Sequence, residues 1–249
     1  MDITDDRWAI YIDIQGFSHF WERDKNKALC GLNHMMEAIV RIGEKVCSVE
    51  GDRFFAHHIG DGFFVISEFH ENKLERAITI AVALMKYISK SGIFAKAAIA
   101  EGDNADITSC YPKDIQDSLN DDGCSISLGA GVMTIFPVMG TALVRAHELA
   151  KNSPQGPMLT IKASEKERIP KHIKVRCIKE NCVKLLMVDW VHMKSELLEE
   201  IQNKACLPMT TSKKIEKRLV QYCNTNCLSK DWIDNVSKFL NVHGIMEDC

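Results

Sequence analysis

Between Asp6 and Ile14 apolar and other residues alternate, with Trp8, Ile10, Ile12 and Ile14 on one side, and this period of two predicts a β-strand. Past Gly16 the period changes. Leu29, Leu32, Met35, Met36, Ile39, Val40, Ile42 and Val46 recur at helical spacing, so residues 25–48 predict an amphipathic helix with the Met35-Met36 pair in the core. Gly51-Asp52 marks a turn, and Arg53–Ile59 with Phe63–Glu68 predict a hairpin around Gly60-Asp61-Gly62. A second helix is expected over 72–91, where Leu74, Ile78, Ala81, Val82, Leu84, Met85 and Ile88 share a side. Ala95–Ala100 then reads as a strand closing at Glu101-Gly102-Asp103. Residues 103–125 turn to Asp, Asn, Ser and Gly, which predicts a surface excursion with a short helix after Pro112 and no assigned chemistry. A helix opens at Gly140, Met158–Ile161 and Val183–Trp190 add strands, and residues 193–241 give helical patterns. The last of these are carried by Leu197, Leu198 and Ile201, then Leu219, Val220 and Tyr222, then Trp232, Ile233, Val236, Phe239 and Leu240.

This order predicts an α+β fold, with residues 1–190 as one domain and 191–249 as a helical C-terminal extension that packs on it or on a second subunit. A chain of 249 residues with 46% hydrophobic content can bury one good core. The net charge of −3, with no basic stripe interleaved with aromatics, argues against a nucleic-acid partner. No apolar run approaches the roughly 20 residues that span a bilayer, and the acidic start at 1–6 is unlike a signal peptide. A soluble, cytoplasmic protein without direct membrane contact is expected. The ten cysteines include no pair two residues apart in the Cys-x-x-Cys pattern, so reduced thiols are expected rather than a zinc site or disulfides.

Two aspartates change the picture. Asp13 interrupts the run Trp8–Ile14 and Asp61 sits at the tip of the predicted hairpin; each is followed by glycine and then an aromatic residue. Asp61 alone also suits a turn, since Asp-Gly is a common hairpin dipeptide. A carboxylate at the end of a buried strand needs a partner, and two brought together favour a divalent cation between them. Mg2+ takes oxygen ligands, commonly one or two carboxylates plus phosphate oxygens, so the pair points to metal-dependent phosphate chemistry.

A strand bearing Asp13-Ile14-Gln15-Gly16-Phe17-Ser18, a helix, and a hairpin bearing Ile59-Gly60-Asp61-Gly62-Phe63 resemble the start of a class III nucleotidyl cyclase catalytic domain. The resemblance covers about residues 7–165 and implies a ferredoxin-like βαββαβ core. It implies that Asp13 and Asp61, with the backbone carbonyl of Ile14, hold two divalent ions, Mn2+ or Mg2+. Substrate contacts would come from Phe17, Phe55, His57 and Gly60. The helix after Gly140 resembles the family's segment whose asparagine orients the ribose and whose arginine stabilises charge on the α-phosphate. Those two positions hold Val144 and Glu148. Glutamate cannot stabilise a developing negative charge, and Arg145, one residue beyond the asparagine position, is the nearest replacement.

Base choice in the family depends partly on the residue four before the second aspartate, here His57, and on the residue three before the helix glycine, here Pro137. Neither carries a purine code. Together with the divergent helix, this resembles the bacterial pyrimidine cyclases of the Pycsar anti-phage systems. That implies a uridylate cyclase making cyclic UMP from UTP, with a cytidylate cyclase using CTP as the alternative, and a separate effector that answers to the product. Class III cyclases build their site between two catalytic domains, which implies a homodimer. A catalytically inactive nucleotide-binding regulator and a small α/β interaction module are the other readings.

Overall fold

A computed structural model of the chain describes residues 6–240 apart from 122, 181, 182 and 209; the acidic stretch at 1–5 and Cys182 and Cys249 lie outside the described residues. The elements run β1 (Arg7–Ile14), α1 (Phe17–Arg23), α2 (Lys25–Lys45), β2 (Phe54–Ile59), β3 (Gly62–Ser67), α3 (Glu75–Ile88) and β4 (Ala95–Gly102). Next come β5 (Ala105–Asp106), α4 (Lys113–Asp117), β6 (Ser125–Leu128), β7 (Gly131–Thr134), β8 (Val138–Met139) and α5 (Thr141–Lys151). The chain continues with β9 (Leu159–Lys162), β10 (Val175–Glu180), β11 (Val183–Val188), α6 (Glu196–Lys204), α7 (Ser212–Thr225) and α8 (Lys230–Leu240).

Seven strands form one sheet in the order β10-β11-β9-β4-β1-β3-β2. The first four strands follow the order β4-β1-β3-β2, all antiparallel, which is the ferredoxin-like βαββαβ arrangement, and β9 joins β4 in parallel. Strand alternation explains the two faces. Trp8, Ile10, Ile12 and Ile14 point into the main apolar cluster with α2 and α3, while Ala9 lies in a smaller cluster against Ala142, Leu143 and Ala146 of α5, with Tyr11 packed beside it. The main cluster continues into the C-terminal helices through Leu198, Ile201, Ile215, Leu219, Trp232, Val236 and Phe239, so sheet and extension share one core.

The buried face of α2 differs from expectation. Met35 is buried, but Met36 is 42% exposed and Val40 52%. The helix turns Ala28, Gly31, Met35, Ala38, Ile39 and Ile42 inward. Small residues permit close approach: a Cβ on Gly31 would stand 3.1 Å from Ile93. Hydropathy underweights Ala and Gly, and the stripe it favoured is rotated away from the packed one. Helix α1, the exposed β6–β7 hairpin and the edge strand β10 carry too short or too weak a pattern to have been expected.

Candidate active site

Asp13 is the next-to-last residue of β1 and lies on the α5 face, two positions beyond Tyr11. In the sheet register it pairs with Gly62 on one side and Lys96 on the other. Gly60 takes a positive φ of 64° at the first position of the β2–β3 turn, where glycine is favoured, and this places Asp61 beside β1. The backbone N–H of Ile14 donates to the Asp61 carbonyl at 3.4 Å. Gly62 is required by contact: a Cβ there would stand 3.0 Å from the Tyr11 hydroxyl and 3.2 Å from the Ile12 carbonyl.

The electrostatics follow from this crowding. Burial, then the neighbouring Asp61, push the Asp13 carboxyl up to about 7, against the opposing pull of Lys96 and an N–H from Ile14. Tyr11 is pushed up to about 12 by burial and by both aspartates. Burial pushes Lys96 down to about 8, with Asp13 opposing, and its Nζ donates to the Ser153 carbonyl at 2.9 Å. A cavity of about 250 Å3 opens over these groups, lined by Tyr11, Asp13, Gln15, Lys96, His147 and Lys151, with the His147 ring edge-on to Tyr11 at 5.0 Å.

Two adjacent carboxylates, one of them driven toward neutrality by burial and then by the other, suit a hard divalent cation that would relieve the repulsion. Among the described residues no third His, Cys, Asp or Glu joins them in a metal-binding group. Backbone carbonyl, water or phosphate oxygens would have to complete the shell, as expected for a cation that binds with a nucleotide.

The other expected site residues lie elsewhere on the same chain. His57 on β2 is on the α5 face; burial lowers its pKa, its Nε2 is buried without a hydrogen-bond partner among the described residues, and its ring meets Phe136 edge-on at 4.7 Å. The fold thus brings together His57 and the segment containing Pro137, which are distant in sequence. Phe55, 40% exposed, lies beneath the Arg53 guanidinium at 5.9 Å, and Phe17 opens α1 stacked on Trp21 at 5.7 Å. Arg145 donates through Nη1 to the Glu101 carbonyl at 2.8 Å. That places it at the far end of β4 from Lys96, about 17 Å along the strand at the usual rise, so one chain does not bring Arg145 to Asp13. Val144 and Glu148 are exposed on α5.

Lys96 and His147 were not singled out in the sequence, whereas Lys151 was visible there as a second cation beyond Arg145 on the helix after Gly140. Lys96 left a signal, being a lone cation in the apolar strand Ala95–Ala100. Asp103, assigned no chemistry, starts α5: it accepts from the Thr141 N–H at 2.6 Å and from the Thr141 hydroxyl, and these bonds hold its carboxyl below the usual range.

No known family model matches the chain, and no curated protein matches it in sequence. Solved structures match it in fold. The guanylyl cyclase domain of the RhoGC fusion protein from the aquatic fungus Blastocladiella emersonii, in a monomeric double-mutant form, is 14% identical, with 75% of this chain and 96% of that one covered and a TM-score of 0.51. A dimeric form of the same domain gives 14% identity, 75% and 95% coverage, and a TM-score of 0.50. The fold is that of class III nucleotidyl cyclase catalytic domains.

Proposed function

We propose that the chain is a uridylate cyclase that converts UTP to cyclic UMP and pyrophosphate, made as a second messenger in bacterial anti-phage defence and answered by a separate effector. The observation that carries the reaction class is the juxtaposition of Asp13 and Asp61, with Asp13 pushed up to about 7, on a class III cyclase fold. The ribose 3′-oxygen attacks the α-phosphorus, the bond to the pyrophosphate oxygen breaks, and the 3′-hydroxyl proton is released to solvent water, so that UTP gives cyclic UMP, pyrophosphate and a proton. Two Mg2+ or Mn2+ ions, when bound, lower the pKa of that hydroxyl and offset the charge of the triphosphate. Asp13, Asp61 and the Ile14 carbonyl would hold the ions, and Lys96 and Lys151 add positive charge at the cavity that holds Asp13.

Base choice rests on His57 and the segment around Pro137. A buried imidazole nitrogen without a partner is suited to one hydrogen bond with a pyrimidine edge, and Phe136 and Phe55 offer apolar surface for the ring. Because Arg145 is remote from Asp13 in one chain, the working unit is a homodimer in which Arg145 of one copy meets the aspartates of the other, beside the His147 and Lys151 that α5 of the same chain brings to them. Arg145 then supplies the cation that the glutamate at 148 cannot. Val144 and Glu148 favour a second reading, a catalytically inactive nucleotide-binding regulator.

The test is incubation of the protein with Mn2+ and each of ATP, GTP, CTP and UTP, with products identified by mass. Cyclic UMP from UTP is expected, and Asp13→Asn or Asp61→Asn should each lower its formation by about 100-fold or more, as loss of a metal-holding carboxylate does. Cyclic CMP would change only the base. Nucleotide binding without any product would select the inactive regulator.

A further inference from the structure

On the α3 side of the sheet, opposite the face that carries Asp13, the extension forms a half-open cleft of about 800 Å3 between α3, α6, α7 and the segment 192–194. Two polar side chains in its lining are almost wholly withdrawn from solvent. Lys86 of α3 is 6% exposed and donates through Nζ to the Met193 carbonyl at 2.9 Å, which leaves two of its three N–H donors. Gln202 of α6 is 3% exposed, and its Oε1 has no hydrogen-bond partner among the described residues. A buried ammonium with donors left over and a buried amide oxygen without a partner both destabilise the chain unless a ligand satisfies them. Burial pushes Lys86 down to about 8, with Lys194 adding to the effect and Asp189 opposing it.

The rest of the lining is mixed in charge, with lysines in excess of carboxylates. Lys194 and Lys213 flank Lys86, and none of the three is in an ion pair among the described residues. Of the carboxylates there, Glu216 is engaged by His192 at 2.6 Å, and Glu199 lies on an exposed turn of α6. The 14-residue helix α7 begins at the cavity, so its first amides and its dipole also favour an anion. Met193 and Leu198 supply an apolar wall. The volume falls in the roughly 300–1,000 Å3 range of small-molecule sites.

We propose that this cavity binds a phosphate-bearing metabolite of nucleotide size. The phosphate lies against Lys86, Lys213 and the start of α7, the apolar body lies on Met193 and Leu198, and a ligand donor reaches Gln202 Oε1. Nothing in this site depends on the cyclase reading, but it is connected to that site: the Tyr222 hydroxyl of α7 donates to the Gln15 carbonyl at 3.2 Å, two residues after Asp13. A ligand clamped between α3 and α7 holds the helix that supports the end of β1.

The test is calorimetric titration of the full chain in EDTA with inorganic phosphate, AMP and UMP, repeated on Asp13→Asn/Asp61→Asn. Saturable binding of at least one probe is expected, unchanged in the aspartate variant and weakened about tenfold or more by Lys213→Glu and by Lys86→Met. Lys213 is exposed, so its substitution tests the site even where Lys86→Met disturbs the core. Absence of saturable binding by all three probes, or binding that survives Lys213→Glu, overturns the proposal. Binding that disappears in the aspartate variant also overturns it, because the probe then sits at Asp13 and Asp61.

Discussion

At Asp13 the same side chain is a cost to the fold and the means of holding a cation. Its carboxyl titrates near 7, so it is largely neutral at pH 5.5 and largely ionised at pH 8.5. A cation competes with that proton. The rise in Tm on adding Mn2+ is therefore expected to be small at pH 5.5, to grow through pH 7 and to be largest at pH 8.5, as differential scanning fluorimetry would record. Asp13→Asn should abolish this pH dependence; an equal Mn2+ shift at all three values would place the cation elsewhere. Gly62 is held by contact with Tyr11 and the Ile12 carbonyl. Gly62→Ala is expected to destabilise the chain by about 1–3 kcal/mol, the usual range for overpacking, measurable by urea denaturation. The Asp13–Asp61 pair was legible in the sequence because a charge inside an apolar run is conspicuous. Lys96 was less so, because a lysine in a short strand usually faces water, and only its register opposite Asp13 shows that it does not.

Among the elements, α3 shows how burial and charge conflict. Twelve of its residues from Ala77 to Ile88 are buried, including Lys86. A lysine whose folded pKa is depressed contributes stability above the unfolded value of 10.5 and loses it as pH falls through about 8. At pH 7 the charged amine is thus unfavourable, by about 3 kcal/mol for a shift of this size, of which the bond to the Met193 carbonyl returns about 1. Lys86→Met is expected to raise stability by about 2 kcal/mol at pH 7, with the gain shrinking toward pH 10.5, in denaturant titrations across that range. A gain independent of pH would mean that the amine is not charged in the folded chain. Helix α3 was clear in the sequence because its nearly unbroken apolar run is too long for a strand. The inward face of α2 was not, because its closest packing is made by Ala28, Gly31 and Ala38, which carry little hydropathy.

For the whole molecule, the separation of Arg145 from Asp13 in one chain makes dimerisation a condition of the proposed activity. Sedimentation should give a mass of about twice the 28.1 kDa chain. Mixing Asp13→Asn with Arg145→Ala, each inactive alone, should restore up to about a quarter of wild-type activity, since half of randomly mixed dimers are heterodimers with one intact site of two. No recovery, with heterodimers demonstrated, would assign both residues to sites within one chain or remove Arg145 from the chemistry. Among the described residues no helix is long and apolar enough to cross a membrane.

The sequence by itself determined the order of strands and helices over the first hundred residues apart from α1, the hairpin that presents Asp61, and the helical character of residues 196–240. Periodicity and turn chemistry are local, so they survive without a partner in view. Tertiary structure decided what depends on distance between remote segments. It set Lys96 and Tyr11 around Asp13, turned Arg145 toward Glu101, joined His57 to Phe136 and enclosed Lys86 with Gln202 beneath α7. Burial and charge proximity arise only when the sheet closes and the helices pack, and those two quantities move a carboxyl to about 7 and leave a buried amide without a partner.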